Sequence, residues 1–264
     1  MIIVAGCDVG SLTSKAVIMK NGKIIGSSII KSKPRPGDSA ELAMAEALKS
    51  AGVSMDDIKY CIGTGYGREK IPFVNEVVSE ISCHGKGARW MLPSAGTIID
   101  IGGQDCKTMK IDKDGNIGRF TANDKCASGT GRFLEVMAKI LNVGIDELGK
   151  MSLKAKEPIR LASTCTVWAQ ADVISYFNSG VPIEDIGAGI NTAMAGRVAI
   201  LVNAVKPEGD LFMTGGVAKN QGVVSTLEKL VGKKIKKTRK GDPQMAGAIG
   251  AALLSMEKVN EKRR

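Results

Sequence analysis

Two short stretches of this chain carry the residue types that handle phosphate and a divalent cation. The first runs from Asp8 through Gly10, Ser11, Leu12, Thr13 and Ser14 to Lys15, and the second from Asp100 through Gly102, Gly103, Gln104 and Asp105 to Lys107. Glycine lets backbone approach an anion closely. Hydroxyls and lysine donate to phosphate oxygens, and an aspartate can hold a hydrated Mg²⁺. An acid and a glycine at a strand end are by themselves only a turn, but here the register repeats. Lys15 matches Lys107, and the turn at Asn21 and Gly22 matches that at Asp114 and Gly115. Apolar runs (Ile2 to Ala5 and Thr97 to Ile99) precede the two acids. Each copy therefore reads as a β-hairpin whose tip exposes backbone N–H groups, and two copies suggest two facing domains that grip one nucleotide.

A second chemistry lies in the cysteines. The six of them show no CxxC spacing and no disulfide framework, so thiols or ligands in a reducing compartment are expected. Cys126 stands before an amphipathic helix with Phe133, Met137, Ile140 and Leu141 on its inner stripe. Cys165 stands before a helix carrying Val167, Ala171, Ile174 and Phe177. A helix start favours thiolate, the form that binds metal or reacts. Two thiols fall short of the four that an iron–sulfur cluster needs, so a two-fold dimer would have to supply the rest; inert cap thiols fit the pattern equally well. Cys7, Cys61, Cys83 and Cys106 lie in strand, hairpin or helix-end settings that suit buried thiols, and Cys83 with the lone His84 reads as structural.

The elements that must position these residues follow from the pattern between them. Asp38 and Ser39 offer caps to a helix over 40–51 closed by Gly52. The run from Tyr60 to Arg68 is a short strand breaking into a tight glycine turn, and 186–205 is a long helix. A strand from Asp210 leads into Gly215 and Gly216 and then a helix, a geometry suited to an adenosine or a phosphate. In the last helix Ala246, Gly247, Gly250 and Ala251 share a face small enough for very close packing.

Composition sets the limits. The chain has 264 residues, 44% of them hydrophobic and 24% charged, which suits a globular α/β protein with ample core. No apolar run reads as a membrane span and the amino terminus does not read as a signal peptide, so no membrane partner and a cytoplasmic location are expected. The net charge of +10 is concentrated in residues 232–241 and the tail, and aromatics make up only 4%. Stacking platforms for bases are scarce, so no nucleic-acid partner is expected, and a solvated edge or an acidic protein partner accounts for the charge.

The order of Asp8-Val-Gly-Ser, Asp100-Ile-Gly-Gly-Gln, Thr214-Gly-Gly and the small-residue last helix resembles the sugar kinase, Hsp70 and actin superfamily of ATPases. Within it, the motifs around Ser11 to Lys15, Cys126 and Cys165 closely resemble the activators of 2-hydroxyacyl-CoA dehydratases, that of 2-hydroxyglutaryl-CoA in particular. ATPase subunits of benzoyl-CoA reductases share the pattern. The resemblance implies a duplicated, ribonuclease H-like α/β fold with two domains around a nucleotide cleft: residues 1–80 completed by 242–264, and residues 81–241. It implies a homodimer bridged by one 4Fe-4S cluster on Cys126 and Cys165 of each chain. It further implies ATP-driven one-electron transfer from ferredoxin or flavodoxin to a dehydratase. No sugar-binding insertion is present, which speaks against a small-molecule kinase. On this reading Asp8 and Asp100 hold Mg²⁺ through waters and Gly10 to Lys15 with Gly102 and Gly103 cradle phosphates. Gln104 positions the attacking water, Gly215 and Gly216 lie against adenosine, and Lys219 and Gln244 complete the nucleotide contacts.

Overall fold

The computed structural model describes residues 2–123, 125–163 and 165–263. In chain order the strands are β1 (Ile3–Val9), β2 (Thr13–Lys20), β3 (Lys23–Lys31), β4 (Cys61–Thr64), β5 (Glu76–Val77), β6 (Ala95–Ile101), β7 (Cys106–Ile111), β8 (Ile117–Asn123), β9 (Asp210–Thr214) and β10 (Ile235–Lys236). The helices are α1 (Pro36–Ala51), α2 (Glu80–Met91), α3 (Gly131–Ile140), α4 (Ile145–Met151), α5 (Thr166–Asn178), α6 (Ile183–Val205), α7 (Gln221–Val231) and α8 (Ala246–Glu261).

Contacts divide the chain into two compact units, residues 1–95, 111–118 and 238–264 in the first and 96–110 and 119–237 in the second. The first is built on a sheet of order β3-β2-β1-β4-β5. Asn21 and Gly22 both adopt positive φ (49° and 79°), the geometry of a two-residue turn whose twist matches its strands, and they join β2 to β3. α1 packs on β2 and β3, burying Ala40, Ala43, Met44 and Ala47 with Ala5, Cys7 and Ile18. It begins at Pro36, preset for a first helical position, so Asp38 and Ser39 fall inside the first turn rather than capping it. Ser39 Oγ instead accepts from Lys33 N–H at 2.8 Å, and Gly52 closes the helix in the left-handed conformation as expected.

α2 groups with this first unit, whereas the sequence boundary at residue 80 assigns 81–91 to the second. The physical reason is α8. A Cβ at Gly87 would strike the Ala246 carbonyl, and one at Gly250 would strike the Cys83 carbonyl, so the two helices meet backbone to backbone. The same helix approaches β1 at Gly6, where a side chain would run into Ala248 and Ala252.

The second unit has a sheet of order β10-β9-β6-β7-β8 and a core in which Ile99, Ile101 and Leu211 meet Phe133, Met137, Ile190, Met194 and Val223. α6, 23 residues with an 18-residue stretch of mean hydropathy 1.3, does have the length and composition of a membrane span, contrary to the sequence reading. Its Ile186, Ile190, Met194, Val198 and Val202 are core residues of this unit, which is what its apolar character supplies.

Candidate nucleotide and thiol sites

β1 and β2 pair in a register that sets Asp8 opposite Lys15, and β6 and β7 pair so that Asp100 stands opposite Lys107. The repeat read from sequence is therefore a repeat in space within each unit. In the first hairpin the Lys15 ammonium reaches Asp8 Oδ2 at 3.1 Å, and both side chains are buried. The tip is closed by Gly10 N–H donating to the Thr13 carbonyl at 3.1 Å, and Ser32 Oγ holds the Gly10 carbonyl at 2.8 Å. A Cβ on Gly10 would press on the Thr13 carbonyl at 2.8 Å and Lys15 Nζ at 3.2 Å, which is why glycine stands there. Ser11, Leu12 and Thr13 form the half-buried tip, and Ser14 is buried with its hydroxyl 2.9 Å from that of Ser32. Gln244, in the turn that opens α8, donates from Nε2 to Thr13 Oγ1 at 3.1 Å and so joins the first hairpin.

Asp8 carries the strongest chemical signal of this unit. Its Oδ1 is buried and accepts no hydrogen bond from the described residues. Gly65, with φ +90°, and Gly247 border the carboxylate, and a side chain on either would collide with it. A buried carboxylate oxygen without a donor, walled by glycine, is a costly arrangement unless a cation or its water fills the space. Oxygen donors suit a hard divalent cation such as Mg²⁺.

The second hairpin carries a further acid, Asp105. Lys107 pairs with Asp105 at the tip, and Asp100, 2% exposed, accepts from Thr214 Oγ1 at 2.8 Å. The tip is tied to the start of α3, since Gly131 and Arg132 N–H donate to the Gly102 and Gly103 carbonyls at 2.9 Å each. Gln104 stands exposed at its apex. After β9, Gly215 has φ +82° and passes so close to the Ile101 carbonyl and Asp100 Oδ1 that no side chain fits. Gly216 and Lys219 are exposed in the short helical turn that follows, and Asn220 caps α7 by accepting from Val223 N–H at 3.1 Å. The structure thus gathers Asp100, Gly102 and Gly215 within one unit. Thr214, whose hydroxyl orients Asp100, was missed as a site residue although it stands at the end of β9 beside the glycine pair.

The cysteines separate cleanly. Cys7, Cys61, Cys83 and Cys106 are buried, as expected, and burial pushes their thiols up, those of Cys61 and Cys83 to about 12. Cys126 is half-buried and Cys165 exposed, both in the second unit. Cys165 is the N-cap of α5, as anticipated. Cys126 lies in the loop ahead of α3, whose N-cap is Thr130, so the helix start does not explain its chemistry. Its thiol is held below the ordinary value chiefly by hydrogen bonds from Ser128, with Arg197 adding its charge. Asn123 Nδ2 pins the loop by donating to the Cys126 and Ser128 carbonyls at 2.9 and 3.0 Å. Asp124 and Thr164, which belong to the two cysteine motifs, lie outside the described residues. Thiol donors at two accessible positions fit half of a four-thiolate iron–sulfur site.

The apolar residues that the sequence places along α5, Val167, Ala171, Ile174 and Phe177, are all exposed, as is Trp168, and only Ala169 and Val173 of this helix are buried.

Two α/β units, each carrying an acid-and-glycine hairpin, the first completed by a carboxy-terminal helix of small residues, define the duplicated ATPase fold of the actin, Hsp70 and sugar-kinase class. The chain belongs to the BadF/BadG/BcrA/BcrD ATPase family, whose model matches residues 5–255. It is 42% identical over 257 residues to the activator of lactoyl-CoA dehydratase of Anaerotignum propionicum, covering 97% of this chain and 98% of that one. It is 41% identical over 260 residues to the (R)-2-hydroxyglutaryl-CoA dehydratase activating ATPase of Acidaminococcus fermentans, covering 98% of each. The solved activator of the 2-hydroxyisocaproyl-CoA dehydratase from Clostridium difficile, with bound ADPNP, superposes with a TM-score of 0.95 at 40% identity, covering 99% of this chain and 97% of that one.

Proposed function

We propose that this chain is an ATP-driven one-electron donor that activates a 2-hydroxyacyl-CoA dehydratase. The observation that carries the reading is the division of the thiols. In an ATPase of this family, four cysteines are buried and protonated while Cys126 and Cys165 alone reach the surface, both in the unit that carries the second hairpin. The names of the relatives support the partner. They specify three different acyl-CoA substrates at near-equal identity, so the proposal extends to the 2-hydroxyacyl class and not to the glutaryl member in particular.

In this reading the Gly10 to Lys15 tip and the Gly102 and Gly103 turn receive the phosphates of ATP. Asp8 and Asp100 hold the waters of Mg²⁺, and Gln104 orients the attacking water. Gly215, Gly216, Lys219 and Gln244 complete the nucleotide site. Cys126 and Cys165 of two chains supply four thiolates, which makes the working form a homodimer and leaves the outward face of α5 to be covered by the second copy. A 4Fe-4S cluster bound there supplies a one-electron carrier, replenished by ferredoxin or flavodoxin. ATP would act on it by favouring one arrangement of the loop that carries Cys126 and the helix that Cys165 caps.

Anaerobic purification and an iron count test the proposal. Four irons per dimer are expected, with ATP-dependent reduction of a 2-hydroxyacyl-CoA dehydratase by the reduced protein. Cys126→Ser and Cys165→Ser should each abolish iron binding while retaining nucleotide binding. A Cys165→Ser protein that still holds four irons per dimer would sink the assignment.

A further inference from the structure

The loop that carries Cys126 leans on the middle of α6. Gly129 takes φ +90°, and a Cβ there would lie 3.3 Å from Arg197 Cβ, so a glycine lets the loop follow the helix surface at Arg197. Met194 and Val198 beside Arg197 on α6 are core residues, which fixes the point from which its side chain sets out. Arg197 is half-buried, and its guanidinium comes within hydrogen-bonding reach of the Cys126 sulfur. No carboxylate among the described residues pairs with it. Ser128 Oγ lies 3.2 Å from the same sulfur, and Asn123 Nδ2 holds the carbonyls of both Cys126 and Ser128, so the sulfur is presented by a loop pinned on two sides.

We propose that Arg197 is a positioning residue for the electron-transfer reaction: acting through Cys126, its fixed positive charge favours the reduced state of the cluster and so sets the potential at which the protein gives up its electron. The inference rests on the cluster reading made above. Uptake of one electron adds one negative charge to the thiolates and what they hold, and a cation kept beside one of those sulfurs, partly shielded from water, lowers the energy of that state. Net charge and hydrogen bonds at the sulfurs are among the features that set the potential of an iron–sulfur centre. A guanidinium suits the task because it stays charged at every working pH and can only donate, so it supports a thiolate without competing for a proton. Arg197 already acts on this sulfur in the iron-free chain, where, after the larger contribution of Ser128, it helps hold the Cys126 thiol below its ordinary value. In a two-fold dimer each chain brings its own Arg197, so a single substitution removes two such charges from one site.

The test is a mediator-buffered potentiometric titration of the anaerobically purified protein, with reduction followed by visible absorbance and iron counted on the same samples. Arg197→Gln should keep four irons per dimer and disfavour the reduced state by about tenfold, a fall in midpoint potential of about 59 mV for one electron. Arg197→Lys, which keeps the charge, should stay within about twofold of the wild-type equilibrium. A purely structural role would change iron content or thermal melting and leave the potential where it is. If Arg197→Gln holds four irons at the wild-type potential, the role of Arg197 falls and the cluster reading stands. If the wild-type protein itself binds no iron, both fall. Should Arg197→Gln lose its iron, Arg197→Lys decides: a full cluster at the wild-type potential supports the charge, and loss of iron in both variants overturns it.

Discussion

Asp8 and Lys15 are a buried pair in which each makes the other tolerable. Removing the ammonium alone leaves a carboxylate with neither donor nor solvent, a change that costs about 3 kcal/mol or more. Lys15→Met should therefore lower stability in urea by that order, whereas Asp8→Asn, which keeps shape and a hydrogen-bonding group, should lose most ATPase activity with a smaller loss of stability. Unchanged hydrolysis in Asp8→Asn would remove this residue from the mechanism. Among the thiols, the native iron-free protein should show two that react quickly with a disulfide reagent at pH 8, and six after denaturation, because four are buried. Cys126 has a thiol held below the ordinary value, chiefly by Ser128, so its folded form favours thiolate. That contribution is complete above the unfolded thiol pKa of about 8.5 and is lost as pH falls through the lower folded value. Its alkylation rate in iron-free protein, followed by mass spectrometry, should accordingly have a midpoint below about 8.5 that moves upward in Ser128→Ala. The acids, glycines and lysines of the hairpins were legible in the sequence because each spacing repeats. Ser128, Arg197 and Thr214 were not, since they reach their partners through the fold and leave no periodic trace.

At the scale of elements, the small face of α8 is what joins α2, β1 and the first hairpin into one unit. Gly250→Ala would drive a methyl group into the Cys83 carbonyl, and α8 cannot slide away because Gly87 already lies against Ala246. A loss of about 3 kcal/mol in chemical unfolding is expected, and a change below about 0.5 kcal/mol would mean that the two helices separate readily. This contact was half visible beforehand: glycine and alanine at helical spacing announce close packing without saying what packs there. The missing half is why the sequence boundary at residue 80 parts α2 from the helix it packs against. A similar limit applies to α5. The apolar stripe of Val167, Ala171, Ile174 and Phe177 is a property of the sequence, but whether its own unit covers it depends on where α3 and α6 lie, and they cover Ala169 and Val173 instead. The start of α1 is a plainer case, where Pro36 outweighed two good capping residues because its ring already has helical φ.

At the scale of the molecule, the exposed face of α5 and the two accessible cysteines make one argument. Val167 and Trp168 lie two and three residues after Cys165 in the first turn of the helix and are 68% and 69% exposed, a large apolar surface for water to cover at about 25 cal/mol per Å². A second copy that buries this face would bring its own Cys165 along, since the residue that caps the helix moves with the helix. Dimer contact and thiolate supply are then linked, and binding that occurs only in the dimer stabilises the dimer. Sedimentation should therefore show tighter association with iron bound than without it. Trp168→Glu should shift the iron-free protein toward monomer and reduce iron uptake together, although the substitution leaves every thiol in place. Iron binding at full stoichiometry by a monomeric Trp168→Glu protein would break the link, because one chain offers only Cys126 and Cys165 at its surface and a buried thiol such as Cys106 would have to complete the set.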